Sequence, residues 1–313
     1  MVGAGAWGTA FSSLLAARGH DVTLACRDPE QARAIDETGH NPRHLPSADL
    51  SGVSATTVDD PSLAGVDLHV VAVPSRAFGQ VVRALPGAAP VLSLAKGLDP
   101  ETGSRLSELV ERRGAAVLSG PTFAEEIADG LPAAAVIASS DPGLALELQE
   151  AVNSLTFRVY VNEDLVGVEL CAAAKNVMAL AAGGVDGLGL GDNAKAALIA
   201  RGLAEMARLG EACGAEPETF SGLAGMGDLI VTCWHPSGRN RRAGELIARG
   251  AAPEEAAAQI GTVEGLTTAP VLRDLSRRVG IELPITEGVC QVLEGNDLGA
   301  LAAGLMGRQP TRE

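Results

Sequence analysis

The chain has 313 residues, 46% hydrophobic but only 3% aromatic, which is enough for two domains with mainly aliphatic cores. Its net charge of −15 excludes a surface built for nucleic acid or an anionic membrane, because such partners need a broad basic face. The five cysteines are an odd number without C-x-x-C spacing, which points to reduced thiols in a cytoplasmic protein and leaves zinc or any other metal without a ligand pattern. The apolar start lacks the basic n-region of a signal peptide, and no uninterrupted apolar run reaches transmembrane length.

The first segment reads Gly3-Ala4-Gly5-Ala6-Trp7-Gly8, followed by Thr9, Phe11, Leu14 and Leu15 at helical spacing, with Gly19 as a stop. Residues 21–25 then read as a strand. This is the turn and helix of a dinucleotide-binding βαβ unit, in which Gly3, Gly5 and Gly8, with Ala6 and Trp7, bring the pyrophosphate to a helix N-terminus. The strand that should precede the turn is reduced to Met1-Val2. The expectation is a start several residues upstream; the alternative is a sheet whose central strand is nearly missing. After the second strand come Cys26-Arg27-Asp28, where Arg27 suits the 2′-phosphate of NADP and Asp28 leaves NAD open.

Apolar strands over 68–73, 91–94, 116–118 and 133–138 alternate with helical stretches, the last followed by a helix from about Asp141. Such alternation predicts a mostly parallel sheet with ligand sites beyond the carboxyl ends of its strands. Lys96 and Thr122 fall at two of these ends, although Thr122 with Glu125 also matches a helix capping box. After about Asp164 the texture turns to long helical patterns without a convincing strand. The predicted architecture is α/β: an N-terminal Rossmann-type doubly wound sheet over 1–163, then an all-helical C-terminal domain over 164–313 for substrate and catalysis.

Only three of the 24 basic residues are lysine: Lys96, Lys175 and Lys195. A chain that uses arginine as its general cation keeps lysine where a guanidinium fails, because an ammonium in a desolvated site can exchange its proton. Lys175 stands on a predicted helix from Leu165 to about Val185, with Cys171, Met178 and Ala179 on its face, so partial desolvation is expected. Among the acids in glycine-bounded turns, Asp186, Asp192 and Asp228, the carboxylate expected to orient Lys175 is Asp228. Gly238-Arg239-Asn240, with Arg241 and Arg242 behind them, opens a helical stretch with the donors a phosphate group needs.

Taken in order, these segments resemble one family over nearly the whole chain. They are 3–10, Asn41-Pro42 with Leu45-Pro46, 72–75, 95–97, 119–124, 174–177, 191–197, Gly227-Asp228-Leu229 with Thr232-Cys233, 239–242 and 263–265. The family is the bacterial NAD(P)-dependent glycerol-3-phosphate dehydrogenases. The resemblance implies interconversion of dihydroxyacetone phosphate and sn-glycerol 3-phosphate, supplying the latter for phospholipid synthesis, by a cytoplasmic homodimer without stable membrane association. It further implies that Lys175 is the proton acceptor in glycerol 3-phosphate oxidation and that Lys96 contacts both substrate and NAD or NADP. Gly120, Thr122, Asp228, Gly238, Arg239 and Asn240 take the substrate, and Ala6, Trp7, Arg27, Ala124, Arg239, Thr262 and Glu264 lie near the cofactor. Lys195 matches the family but is given no role. Two positions depart from the pattern: Gly238 stands where bacterial members usually have serine, leaving Ser237 as a substitute hydroxyl, and His44 replaces an aromatic residue. A β-hydroxyacid dehydrogenase and a non-catalytic NADPH sensor are the alternatives.

Overall fold

The structure is a computed structural model and describes residues 1–111 and 113–300. Packing groups the chain otherwise than its change of texture at residue 164 does. One compact unit joins Met1–Ala172 to Ala215–Asp228, and the other joins Ala173–Gly214 to the described residues from Leu229 onward. The end of the predicted helical domain, residues 301–313, lies outside the described residues.

The first unit contains seven strands among the described residues: β1 (Val22–Cys26), β2 (Val53–Thr57), β3 (His69–Val71), β4 (Val91–Ser93), β5 (Ala115–Ser119), β6 (Ala133–Ser139) and β7 (Phe157–Asn162). β1 pairs with β2, and β3 through β7 follow in sequence order. All pairs are parallel except β5 with β6. β2 and β7 were not expected from the sequence. The two sets meet at the N-terminal residues: Val2 bridges Ala25 and Val71, with Val2 N–H donating to Val70 O at 2.7 Å and Ala72 N–H to Val2 O at 2.8 Å. The central strand of the doubly wound sheet is therefore present as one bridging residue, and the dinucleotide turn leaves directly from it.

Helices α1 (Ala6–Ala17), α2 (Pro29–Thr38), α3 (Ser75–Ala84), α4 (Ala124–Ala128) and α5 (Pro142–Val152) connect these strands. Burying the apolar sides of α1, α2 and α5 against the strands makes one core, centred on Phe11, Leu24, Ile35, Leu92, Leu118, Ile137 and Phe157. A second cluster around Phe78, Val71, Val91 and Leu106 covers the other side. α2 and α5 start where Asp28 and Asp141 accept hydrogen bonds from first-turn amides, with proline at the first helical position.

α6 (Leu165–Gly187) passes from the first unit into the second. It is long and apolar enough to cross a membrane, but 83% of its most apolar stretch is buried in the protein, as in a core helix. After α7 (Gly191–Ala212) the chain returns to the first unit through α8 (Pro217–Ser221) and a π turn over Leu223–Gly227. The second unit continues with α9 (Asp228–Trp234, whose first residue closes the first unit), α10 (Arg239–Ala248), α11 (Pro253–Ile260), α12 (Glu264–Val279) and α13 (Pro284–Leu293). Here helices approach through glycine. A Cβ on Gly183 would lie 1.8 Å from Arg241 O, and one on Gly244 would lie 1.9 Å from Leu180 O, so α6 and α10 touch backbone to backbone.

Candidate active site

The dinucleotide turn depends on two crowded glycines and one open one. Gly3 has φ +106°, where L side chains are strained, and a Cβ there would meet Ala72 O at 2.6 Å. A Cβ on Gly8 would lie 1.9 Å from Gly3 O, so this glycine lets α1 press onto the turn. Gly5, the residue preceding α1, faces open space and caps the helix with no side chain. Uncapped amides at Ala6, Trp7 and Gly8 thus point out of a helix N-terminus beside a glycine that leaves room for an anion. The Trp7 ring stacks edge-on against Phe11 at 5.4 Å, while its buried Nε1 has no hydrogen-bond partner. The donor set, the clearance and the polarity fit the pyrophosphate of a dinucleotide.

Beyond β1, Arg27 is exposed and Asp28 is occupied. Asp28 accepts from Glu30 N–H at 2.9 Å and pairs with Arg43 at 2.5 Å; the backbone donor first, and then the guanidinium, hold its carboxyl below the ordinary value. A carboxylate committed to a helix cap and an ion pair is a poor acceptor for a ribose hydroxyl, whereas Arg27 offers its charge to solvent.

At the ends of β4 and β5 a polar cluster closes around Lys96. Its Nζ donates to Gly120 O at 2.9 Å, Thr122 Oγ1 at 3.0 Å and Asp228 Oδ2 at 2.9 Å. Gly120 adopts φ +135° with its Cβ direction blocked by Ala135 Cα at 3.0 Å, which holds its carbonyl in this cluster. The Thr122 hydroxyl donates on to Gly120 O at 3.1 Å. The expected capping box is not formed: α4 begins after Phe123 with no side-chain cap, and the Thr122 hydroxyl belongs to the Lys96 cluster. Ser119 Oγ reaches Asp228 Oδ2 at 3.5 Å. Asp228 is 1% exposed and opens α9 directly after the π turn, so it stands at a helix start rather than in the expected loop. Such an insertion shifts the helical register locally and re-aims the side chains after it.

In the second unit Lys175 is 5% exposed on α6, and its Nζ donates to Thr232 Oγ1 on α9 at 3.1 Å. Its neighbour Asn176 accepts from Asn240 Nδ2 at 2.9 Å, while Asn240 Oδ1 accepts from Gly265 N–H at 2.8 Å. Asn240 therefore ties α10 to α6 and α12. Gly238 precedes α10, and a Cβ there would be 3.1 Å from both His235 O and Thr232 O, a tight fit for serine. Ser237 Oγ lies 2.9 Å from His235 Nδ1. Arg239, the first residue of α10, is exposed. Ala124 is buried at the start of α4, and Thr262 and the half-buried Glu264 flank the start of α12. On the first-unit part of α6, burial raises the Cys171 thiol far above its ordinary value, with Asp164 and Asp228 adding to the effect, so it is an inert core thiol.

Two family profiles match this chain. Residues 1–145 match the NAD-dependent glycerol-3-phosphate dehydrogenase N-terminus and residues 164–299 the C-terminus of the same family. The chain belongs to the NAD-dependent glycerol-3-phosphate dehydrogenase family. Glycerol-3-phosphate dehydrogenase [NAD(P)+] of Moorella thermoacetica is 47% identical over 100% of this chain and 96% of its own length. The Halorhodospira halophila protein of the same name is 45% identical over 100% and 97%. The crystal structure of the Coxiella burnetii glycerol-3-phosphate dehydrogenase superposes with a TM-score of 0.93 at 38% identity, covering 98% of each chain. The α/β architecture expected from the sequence is the architecture of this family.

Within this dehydrogenase fold Lys96, Gly120, Thr122 and Asp228 gather in one cluster, and Lys175 and Asn240 belong to hydrogen-bonded groups in the second unit. Ser119, Thr232 and Asn176 carry contacts to these groups, although the sequence placed them only inside family motifs and gave them no role. Each stands within three residues or one helical turn of a named residue, a sequence signal that adjacency alone could have supplied.

Proposed function

We propose that this protein interconverts dihydroxyacetone phosphate and sn-glycerol 3-phosphate with NADPH or NADH, as a cytoplasmic homodimer without stable membrane association. The observation that carries the reading is Lys175, a buried ammonium that donates to a threonine hydroxyl in a chain with only three lysines among its 24 basic residues. When bound at the α1 turn, the nicotinamide cofactor supplies the hydride for the carbonyl carbon. Lys175 donates its proton to the carbonyl oxygen as negative charge develops there, and takes it back in glycerol 3-phosphate oxidation. Thr232 Oγ1 fixes the ammonium direction, so the proton is aimed before the substrate arrives. Lys96, held by Gly120, Thr122 and Asp228, adds fixed positive potential for substrate and cofactor.

Arg239 and the free amides at the start of α10 grip the phosphate, and that remote binding energy orients the carbonyl. Arg27 favours NADP, and Ala6, Trp7, Ala124, Thr262 and Glu264 complete the cofactor surroundings. The test is the loss of reduced-nicotinamide absorbance with dihydroxyacetone phosphate, run with NADPH and with NADH. Turnover with either sustains the reading. Binding of NADPH without turnover makes the protein a sensor, and turnover of a 3-oxoacid alone makes it a β-hydroxyacid dehydrogenase.

A further inference from the structure

Lys195 is 5% exposed, as deeply placed as Lys175, yet the reaction above does not use it. Its Nζ donates to Asp186 Oδ2 at 2.8 Å and lies 5.0 Å from the centre of the Trp234 ring. The same Asp186 oxygen accepts from Arg241 on α10, whose guanidinium also faces Glu245 at 3.3 Å and donates through Nε to His235 O at 3.3 Å. One carboxylate thus receives both a cation packed on Trp234, at the beginning of the 235–238 loop, and a cation that holds that loop's own backbone from its far end. The loop leads directly into Arg239 and the first amides of α10, the groups proposed to bind the phosphate. A partly buried carboxylate shared by a buried lysine and a largely covered arginine carries a desolvation cost, and removing the carboxylate would leave both cations without their common partner.

The placement on α6 gives this geometry its use. Asp186 follows Lys175 by eleven residues, three turns, so both lie on one face of the helix about 16 Å apart. Gly183 and Gly244 bring α10 against that helix closely enough for Arg241 to reach down to Asp186, while Asn240 meets Asn176 beside Lys175. Proton donor and phosphate grip are therefore referenced to one rigid element.

We infer that Asp186 is a positioning residue that, through Arg241 and Lys195, holds the 235–238 loop and the start of α10 in the conformation that binds the substrate's phosphate. The inference rests on the proposed phosphate role of Arg239 and the α10 amides, and deepens it. A positioning role acts on the phosphate and leaves proton transfer alone. Asp186→Asn should raise KM for dihydroxyacetone phosphate roughly tenfold or more while kcat stays within about twofold. Its activity on dihydroxyacetone, which has no phosphate to grip, should match that of the parent. The paired variant Asp186→Asn with Lys195→Met keeps the net charge and should show the same split; it carries the test if the single variant does not fold.

An unchanged KM for dihydroxyacetone phosphate, or an equal loss on both substrates, overturns the inference. If the parent enzyme itself does not reduce dihydroxyacetone phosphate, the proposed reaction fails, and calorimetry with inorganic phosphate decides the inference separately. Binding weakened about tenfold in the variants sustains it, and equal binding overturns it.

Discussion

The two units hold their reactive groups by different means. In the first, Lys96, Gly120 and Thr122 stand past strand ends, where main-chain shape aims them: two glycines with φ above +100° set the dinucleotide turn and the Gly120 carbonyl. In the second, the groups stand on helices of ordinary geometry, and buried polar pairs, Lys175 with Thr232, Asn176 with Asn240 and Asp186 with Lys195, set their direction. Strand-end sites are therefore vulnerable where a backbone must bend or be approached, and helix-borne sites where a side chain must find its partner. Glycine serves both units, as a hinge of conformation in one and as clearance between helices in the other.

The largest effect expected from this contrast comes from a charge-conserving exchange. Lys175→Arg keeps the cation but cannot give up its proton, so kcat should fall roughly 10²–10⁴-fold with the fold intact by circular dichroism. Near-parental turnover in that variant would remove Lys175 from the chemistry.

The next pair of variants sets one unit against the other. Gly8→Ala and Gly183→Ala each force a methyl to within 2 Å of a carbonyl, 1.9 Å and 1.8 Å respectively, and each should cost about 1–3 kcal/mol in urea denaturation. Their functional signatures should differ: Gly8→Ala weakens NADPH binding and spares phosphate affinity, whereas Gly183→Ala raises KM for the phosphorylated substrate and spares the cofactor. Matching signatures would erase the distinction between the two modes of support.

Much of this division is legible in the sequence, for identifiable reasons. The turn at 3–8 and the strand-end positions of Lys96 and Thr122 follow from local spacing, which is why they are found without a structure. β7 carries a readable alternation, Phe157 and Val159 inward with Arg158 and Tyr160 outward, but a single run of six residues ending in Asn162 before a long helix passes easily for a loop. β2, short and largely half-exposed, offers only Val53 and Ala55 as an apolar signal. Thr122 could not be decided between a helix cap and contact with ligand, because both need the same hydroxyl and only the backbone path after Pro121, which leaves it with Lys96 and α4 without a side-chain cap, separates them. The Asp186 network was invisible because Lys195 and Arg241 lie 9 and 55 residues from their shared acid.

A smaller effect concerns the cofactor alone. Arg27→Ala should lower the ratio of NADPH to NADH affinity about tenfold in equilibrium binding, since one charge-assisted contact to a phosphate is removed while Asp28 stays committed to α2 and Arg43. A ratio unmoved by the change would assign the preference elsewhere.

The smallest concerns pH. Burial lowers the His69 imidazole below its ordinary 6.5, with its ring nitrogen 3.0 Å from Pro86 O. The folded chain thus binds its proton less readily than the unfolded chain. Stability should fall as pH drops through 6.5 toward the folded-state value, and be independent of this group above 6.5. His69→Gln should flatten the acid limb of a denaturation series, and an unchanged limb would remove this group from the pH dependence.

The protein's two tryptophans are divided between the units, Trp7 at the opening of α1 and Trp234 at the end of α9. One indole has its N–H sealed from water against Phe11; the other is 45% exposed with an ammonium across its face. Their emission should separate into a blue component that answers to the nucleotide and a red one that answers to the phosphate ester. The molecule thereby carries two intrinsic optical channels, and the order in which its ligands arrive can be timed by stopped-flow fluorescence without a label.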